Sequence, residues 1–95
     1  MDIQFEWDAA KSRVNKRKHG VSFEEAQTVF FDENAIRFSD PDHSIDEDRF
    51  LMLGISFQLR ILVVCHCFRA RDAVLRIISA RKATREEETE YWKWR

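Results

Sequence analysis

The first quarter of the chain carries apolar residues at helical spacing, and this pattern predicts a first helix. Asp8 is a good N-cap, the helix runs to Lys18, and Gly20 supplies the residue after its C-terminus. Its apolar face is narrow, with little more than Ala10 and Val14. We therefore expect this helix to lie on the surface and to display its charges.

A second helix is predicted to begin at Ser22, which forms a capping box with Glu25. Val21 and Ala26 are spaced as a hydrophobic staple. The apolar residues of this helix fall on one stripe, namely Phe23, Ala26, Val29 and Phe30. We expect the stripe to pack into the core and the helix to end near residues 32–34.

Beyond residue 35 the apolar pattern is typical of strands. The predicted strands are residues 35–39, 50–57, 60–68 and 73–80. Thr84 and Glu87 form a further capping box, which opens a C-terminal helix. The sequence therefore predicts an α+β fold with two N-terminal helices, an antiparallel sheet of three to four strands and a C-terminal helix.

Length and composition limit the class of protein. The chain has 95 residues and a mass of 11.4 kDa, so we expect a single domain spanning residues 1–95. Eight Phe, three Trp and one Tyr give so small a domain enough bulk for a core. No apolar run approaches the roughly 18 residues of a membrane helix, so we expect neither a membrane helix nor a signal peptide. With only two cysteines, we expect a reduced, cytoplasmic protein without membrane contact.

The net charge of −1 hides a strong segregation of charge along the chain. Residues 11–18 hold five basic side chains and no acid, whereas residues 40–48 hold five acids and no lysine or arginine. A third group joins Arg76, Arg81, Lys82 and Arg85 to the acids that follow them. The pattern predicts one cationic and one anionic zone, and two merely solvated faces are the alternative.

The segment Cys65-His66-Cys67 is the first candidate for chemistry. Because side chains alternate along a strand, the thiols share one face and His66 points to the other, so we expect no metal site. The cysteines then act as small hydrophobic residues. His66 is a candidate titratable group at neutral pH, or else a hydrogen-bonded, half-buried histidine.

The arginines of the last strand are the second candidate. Arg76 alternates with apolar residues, so its guanidinium needs a cleft or a structural ion pair, with Glu47 or Asp48 as candidate partners. Arg81 falls on the opposite face, where the strand meets a helix N-terminus, and together with Lys82 it favours an anion. The basic first helix is a candidate phosphate-binding element, with plainly solvated lysines as the alternative.

Ordered strings along residues 3–91 resemble the BrnT toxin family. The matching strings are Phe5-Glu6-Trp7-Asp8, Lys11, Asn15, Lys18-His19-Gly20-Val21-Ser22-Phe23-Glu24-Glu25-Ala26, Asp40-Pro41-Asp42-His43, Glu47-Asp48-Arg49, Gly54 and Arg76-Ile77-Ile78-Ser79-Ala80-Arg81-Lys82-Ala83. The turn at residues 56–60 departs from the family pattern, because it lacks the glycine often found there.

The resemblance implies a type II toxin–antitoxin toxin with a RelE-like fold, which cleaves RNA and inhibits translation. Such toxins use neither a metal nor a cofactor, because the 2′-OH of the substrate attacks the adjacent phosphate. The implied partner is a BrnA-like antitoxin in a complex of two toxins with two antitoxins. Operator DNA is then contacted only through the antitoxin.

The resemblance also implies roles for individual residues. Arg76 and Arg81 would stabilise the phosphate and the transition state, and either His66 or Glu47 would be the base. The expected RNA-binding residues are Lys11, Lys18, His19, Arg49 and Lys82. A catalytically degenerate toxin that acts as a co-repressor with its antitoxin is the alternative, but half-buried arginines on the sheet favour the enzyme.

Overall fold

A computed structural model describes residues 3–40, 48–71 and 73–94 of the chain. The elements are β1 (Gln4–Glu6), α1 (Ala9–His19), α2 (Phe23–Thr28), a 3₁₀ turn (Val29–Phe31), β2 (Ile36–Ser39), β3 (Phe50–Ile55), β4 (Ile61–Arg69), β5 (Val74–Lys82) and α3 (Arg85–Lys93). One five-stranded sheet has the order β1-β5-β4-β3-β2. The α+β class is confirmed, whereas residues 41–47, most of the acidic stretch at residues 40–48, lie outside the described residues.

The chain enters the sheet before its first helix, so the predicted arrangement was wrong at this end. β1 pairs in parallel with the edge of β5, with Glu6 opposite Arg76, and makes the sheet mixed. Its three residues are too short for an alternating pattern to stand out in the sequence. Phe5, from the middle of β1, packs on Phe30 with ring centroids 5.6 Å apart.

The helix ends follow the predicted caps. The Asp8 carboxylate accepts a hydrogen bond from the backbone N–H of Lys11, and Gly20 ends α1 in the left-handed region at φ 74°. Both reciprocal bonds of the capping box between Thr84 and Glu87 are present at the start of α3. Local side-chain-to-backbone bonds therefore set these boundaries.

The buried face of α1 is polar, contrary to the prediction. Ser12 and Asn15 are buried, whereas Val14 is 51% exposed. The Asn15 amide donates to the carbonyl oxygens of Val21 and Ala80, both at 2.8 Å, and accepts from the backbone N–H of Ala80 at 3.2 Å. Because α1 lies along a strand edge with unpaired backbone groups, a side chain that can bond them is buried there.

Glu25 ties α2 to the hairpin between β3 and β4. Its backbone N–H donates to Ser22, as the capping box predicts, but its carboxylate is buried and pairs with Arg60 and Ser56. Burial alone would raise the pKa of Glu25, but the hydrogen bonds from Arg60 and Ser56 outweigh it and lower the pKa. The turn itself places Leu59 at φ 63°, in the left-handed region that favours glycine.

Each face of the sheet has its own core. The face that we call the α2 face carries Leu62 and Val64 and packs under Phe23 and Ala26. The opposite α3 face carries Val63 and packs against Tyr91 together with Leu53. The two central strands are thus covered on both sides, in agreement with their continuous apolar sequence.

Gly54 lets the 3₁₀ turn approach the sheet closely. A Cβ at this position would lie 2.9 Å from Val29 Cγ1 and 3.0 Å from the Cβ of Ala35. Nearby, Asp32 accepts hydrogen bonds from the backbone of Ile55 and from the hydroxyl of Tyr91. This contact joins α3 to the segment that precedes β2.

Candidate functional site

A β-bulge in β5 decides which way the arginines of that strand project. Cys65 of β4 lies opposite Ser79, but the next residue, His66, lies opposite Ile77. Ile78 is therefore the extra residue, and the alternation of side chains shifts by one position as the strand passes it.

The bulge brings Arg76 and Arg81 to the same side of the sheet. Arg76 lies opposite Cys67 and Arg81 opposite Val63, both on the α3 face. The sequence assigned the two arginines to opposite faces, and that prediction was wrong, because strict alternation ignores a bulge.

Arg76 is part of a cluster of three charged side chains. Its Nη1 lies 3.2 Å from Glu6 Oε2, and Arg69 Nε lies 4.0 Å from Glu6 Oε1. We call Glu6, Arg69 and Arg76 the Glu6 cluster. The predicted ion pair of Arg76 thus exists with Glu6. Of the two partners that the sequence suggested, Glu47 lies outside the described residues, and Asp48 makes no described ion pair with Arg76. Only recognition of β1 as a strand beside β5 would have identified this partner.

Arg81 is bound by α3. Its Nη1 and Nη2 donate to the two carboxylate oxygens of Glu87 at 2.7 and 2.9 Å. These bonds are the main reason that the pKa of Glu87 falls to about 2, and they raise the pKa of Arg81. The same Glu87 accepts from the backbone N–H of Thr84, so a carboxylate already occupies the N-terminus where an anion was predicted.

Lys82 does not join Arg81. It lies opposite Leu62, whose side chain belongs to the α2 face, so neighbouring Lys82 and Arg81 project to opposite sides. The structure therefore separates two residues that the sequence placed together at one anion site.

Three of the predicted RNA-binding residues lie together on α1. Lys11, Lys18 and His19 line a groove of about 380 Å³ between this helix and the bulge of β5 at Ile78 and Ser79. All three are exposed, and we call this the basic groove. Lys11 and Lys18, two helical turns apart along α1, thus face the same groove as His19.

The basic groove and the Glu6 cluster adjoin at Asp8. The pKa of Asp8 is lowered chiefly by the backbone N–H of Lys11, and the positive charges of Lys11 and Arg76 lower it further. Asp8 also lines the groove. The Asp8 end of the groove therefore lies within reach of the positive charge of Arg76.

His66 lies in the core. Its side chain is 0% exposed, with ring centroids 4.8 Å from Phe30, 5.9 Å from Phe50 and 5.7 Å from Phe68. Nδ1 donates to the carbonyl oxygen of Val64, whereas the buried Nε2 has no hydrogen-bond partner among the residues that the structure describes. Burial lowers the pKa of His66. Glu47, the other candidate base, falls outside the described residues.

Arg49 belongs to a different part of the sheet. Its backbone carbonyl accepts from Asp40, whose carboxylate lies 3.9 Å from the thiol of Cys65. Burial, aided by Asp40, raises the pKa of Cys65, and the charge of Arg49 acts against it. Cys65 and Cys67 are both buried, as expected for small core residues.

Within the ranges 3–40, 48–71 and 73–94, no three His, Cys, Asp or Glu side chains cluster closely enough to hold a metal ion. In the same ranges, no helix has the length and apolar character needed to span a membrane.

Comparisons with known proteins agree with the fold and identify the family. A search of curated proteins gave no match. The 1.1 Å crystal structure of the Brucella abortus ribonuclease toxin BrnT is similar, with a TM-score of 0.66 and 24% identity over 88% of this chain and 100% of that one. The family model for the ribonuclease toxin BrnT of type II toxin–antitoxin systems matches residues 7–87. Since that match spans most of the sequence, the protein belongs to the BrnT family of type II toxin–antitoxin ribonuclease toxins.

Proposed function

We propose that this protein is a metal-independent RNA endonuclease that acts in the cytoplasm and inhibits translation. The 2′-OH of the substrate attacks the adjacent phosphate, and the protein supplies positioning and positive charge. The observation that carries the proposal is the groove lined by Lys11, Lys18 and His19, whose Asp8 end feels the positive charge of Arg76.

The basic groove is suited to a single RNA strand. Lys11 and Lys18 are two helical turns apart on α1, so their ammonium groups can follow successive phosphates along the groove. His19 extends the line at the C-terminal end of the helix. These contacts fix the register of the substrate without reading its bases.

Arg76 is the candidate for stabilising the transition state. Its side chain is 28% exposed, and its described ion pair uses Nη1, so its planar guanidinium still offers other donors. We place Arg81 outside the reacting centre because Glu87 engages both of its terminal nitrogens. Arg49 and Lys82 are not among the residues that line the basic groove. That they contact RNA remains a prediction.

The partner that we propose is a BrnA-like antitoxin. A type II system has a protein antitoxin, and we propose two toxins with two antitoxins, with operator DNA contacted through the antitoxin only. The cationic groove favours an acidic toxin-binding segment in that partner, which would bind in a salt-dependent manner.

One observation favours the alternative of a degenerate toxin that serves as a co-repressor. Arg76 and Arg81 both pair with carboxylates, as arginines with a structural role do. The two proposals differ in one respect. Only the enzyme proposal predicts RNA cleavage that is lost in a folded variant without Arg76.

Growth under inducible expression tests the proposal. Wild type, Arg76→Ala and the control Arg85→Ala, an exposed arginine of α3, are each expressed with and without the neighbouring antitoxin gene. We expect wild type and Arg85→Ala to arrest growth and degrade RNA, with rescue by the antitoxin. Arg76→Ala should lose roughly 10²–10³-fold of the cleavage rate while it stays folded. A wild-type protein that binds its partner but neither arrests growth nor cleaves RNA would support the co-repressor.

A further inference from the structure

We infer that Glu6 is the proton acceptor for the attacking 2′-OH, an inference that rests on the proposed ribonuclease function. A general base must have its carboxylate accessible and close to the groups that hold the scissile phosphate. Glu6 meets both conditions among the described residues, since its side chain is 41% exposed and it pairs with Arg76.

Strand pairing determines the position of Glu6. The parallel register places it directly beside Arg76, on the α3 face of the sheet. Arg69, from the adjoining end of β4, approaches the other carboxylate oxygen at 4.0 Å. A phosphate held by these guanidinium groups would bring the neighbouring ribose hydroxyl next to the carboxylate between them.

Other titratable groups near the candidate site are less suited to this role. His66 is fully buried, and the carboxylates of Glu25 and Glu87 are each held by an arginine away from the basic groove. His19 lies at the far end of α1, about 16.5 Å from Asp8 at a rise of roughly 1.5 Å per residue. The Asp8 carboxylate caps α1.

In the proposed step the phosphorus exchanges its bond to O5′ for a bond to O2′. Glu6 takes the proton from the 2′-OH while the bond from O2′ to phosphorus forms and the bond from phosphorus to O5′ breaks. The O5′ leaving group takes a proton from water, and the resulting hydroxide is neutralised by the proton that Glu6 then releases. The products are a 2′,3′-cyclic phosphate and a 5′-hydroxyl, with no oxidant, reductant or metal involved.

Steady-state cleavage of a short synthetic RNA tests the inference. The proteins are wild type, Glu6→Gln and the control Glu33→Gln, an exposed glutamate in the turn before β2. Glutamine keeps an oxygen that can accept from Arg76 but cannot take a proton. We expect kcat of Glu6→Gln to fall at least 100-fold, with KM within about threefold of wild type. Any fall in kcat at low pH that wild type shows should be lost in Glu6→Gln, because the variant has no carboxylate to act as the base. Among the described residues, the charged groups paired with Glu6 are Arg76 of β5 and Arg69 of β4.

Two controls separate the possible results. Urea denaturation shows that Glu6→Gln is folded, and an RNA with a single 2′-deoxyribose at the cleavage site reports on the attacking hydroxyl. If wild type cleaves the RNA but Glu6→Gln is less than tenfold slower and keeps the acidic fall in kcat, the inference about Glu6 is wrong and the proposed function stands. If wild type cleaves neither RNA, the ribonuclease proposal is wrong and the role of Glu6 is overturned with it.

Discussion

The imidazole of His66 shows what burial does to a single titratable group. Burial disfavours the imidazolium and lowers the pKa, the nearby charge of Arg37 adds to the lowering, and the bond to Val64 opposes it. The folded protein therefore keeps His66 neutral at pH values where the unfolded chain, with an ordinary pKa near 6.5, binds a proton. The free energy of unfolding falls as the pH drops below that value.

Replacement of His66 by Phe should remove this pH dependence. The phenyl ring fits an aromatic cluster and has no unpaired nitrogen to bury. Below pH 6.5 we expect wild type to lose up to about 1.4 kcal/mol per pH unit relative to His66→Phe, until folded His66 itself is protonated. Urea denaturation at pH 8 and pH 5.5 measures the difference.

The matched control for this prediction is His19→Gln, which changes an exposed histidine. It should keep the wild-type pH dependence. The prediction fails if His66→Phe loses as much stability on acidification as wild type does. Retention of RNA cleavage by folded His66→Phe would further exclude His66 as the base.

At the scale of elements, α1 is attached to the sheet by one polar side chain. β1 pairs with β5 over residues 74–76, and Asn15 bonds the backbone of the same strand further along, at Ala80. The Asn15 amide thus bonds the backbone of β5 beyond the point where β1 ends. It also bonds the carbonyl oxygen of Val21 in the connection between α1 and α2.

Asn15→Ala should separate this helix from the edge of β5. The change leaves buried donor and acceptor groups of Val21 and Ala80 without partners, at a cost of about 2–4 kcal/mol in the free energy of unfolding. Val14→Ala, the neighbouring exposed position, is the control and should change stability by less than about 0.5 kcal/mol. Chemical denaturation measures both, and equal effects of the two variants would contradict the role of Asn15.

Elements whose ends depend on nearby residues could be predicted from the sequence. The caps at Asp8 and Thr84 act within three residues of the chain, and the structure confirms both. β1 depends on its pairing with β5, 70 positions further along the chain, and the bulge at Ile78 depends on the register between β4 and β5, so no local pattern marks either. The candidate site shows the same difference. Lys11 and Lys18 share one helix, so the sequence could place them together, whereas the pairing of Glu6 with Arg76 joins two strands that are distant in the chain.

At the scale of the whole molecule, the net charge of −1 conceals a cationic side. The basic groove should contribute a salt-dependent term to RNA affinity, because each phosphate contact releases counterions. A neutral average is compatible with this, since the screening length at physiological salt is about 8 Å and distant acids contribute little.

The double substitution Lys11→Gln with Lys18→Gln should weaken RNA binding equally for different sequences. For two lost contacts to a single strand, the slope of log affinity against log salt should decrease in magnitude by about 1.4. Arg13→Gln with Lys16→Gln is the control, because these side chains line a separate groove beside Trp7. Fluorescence anisotropy with a labelled RNA, titrated at several salt concentrations, measures the slopes. Equal slopes for the two double variants would show that RNA does not follow the basic groove.

The parallel pairing of β1 with β5 also sets an order of events during synthesis. Residues 4–6 leave the ribosome well before residues 74–76, and Glu6 is separated from Arg76 by 70 positions. Contacts between such distant segments form late in folding, because a long loop must first be closed. A nascent chain that has not yet reached β5 therefore lacks both the edge pairing of the sheet and the Glu6 cluster. With the function proposed above, an unfinished toxin would be harmless to the ribosome that makes it.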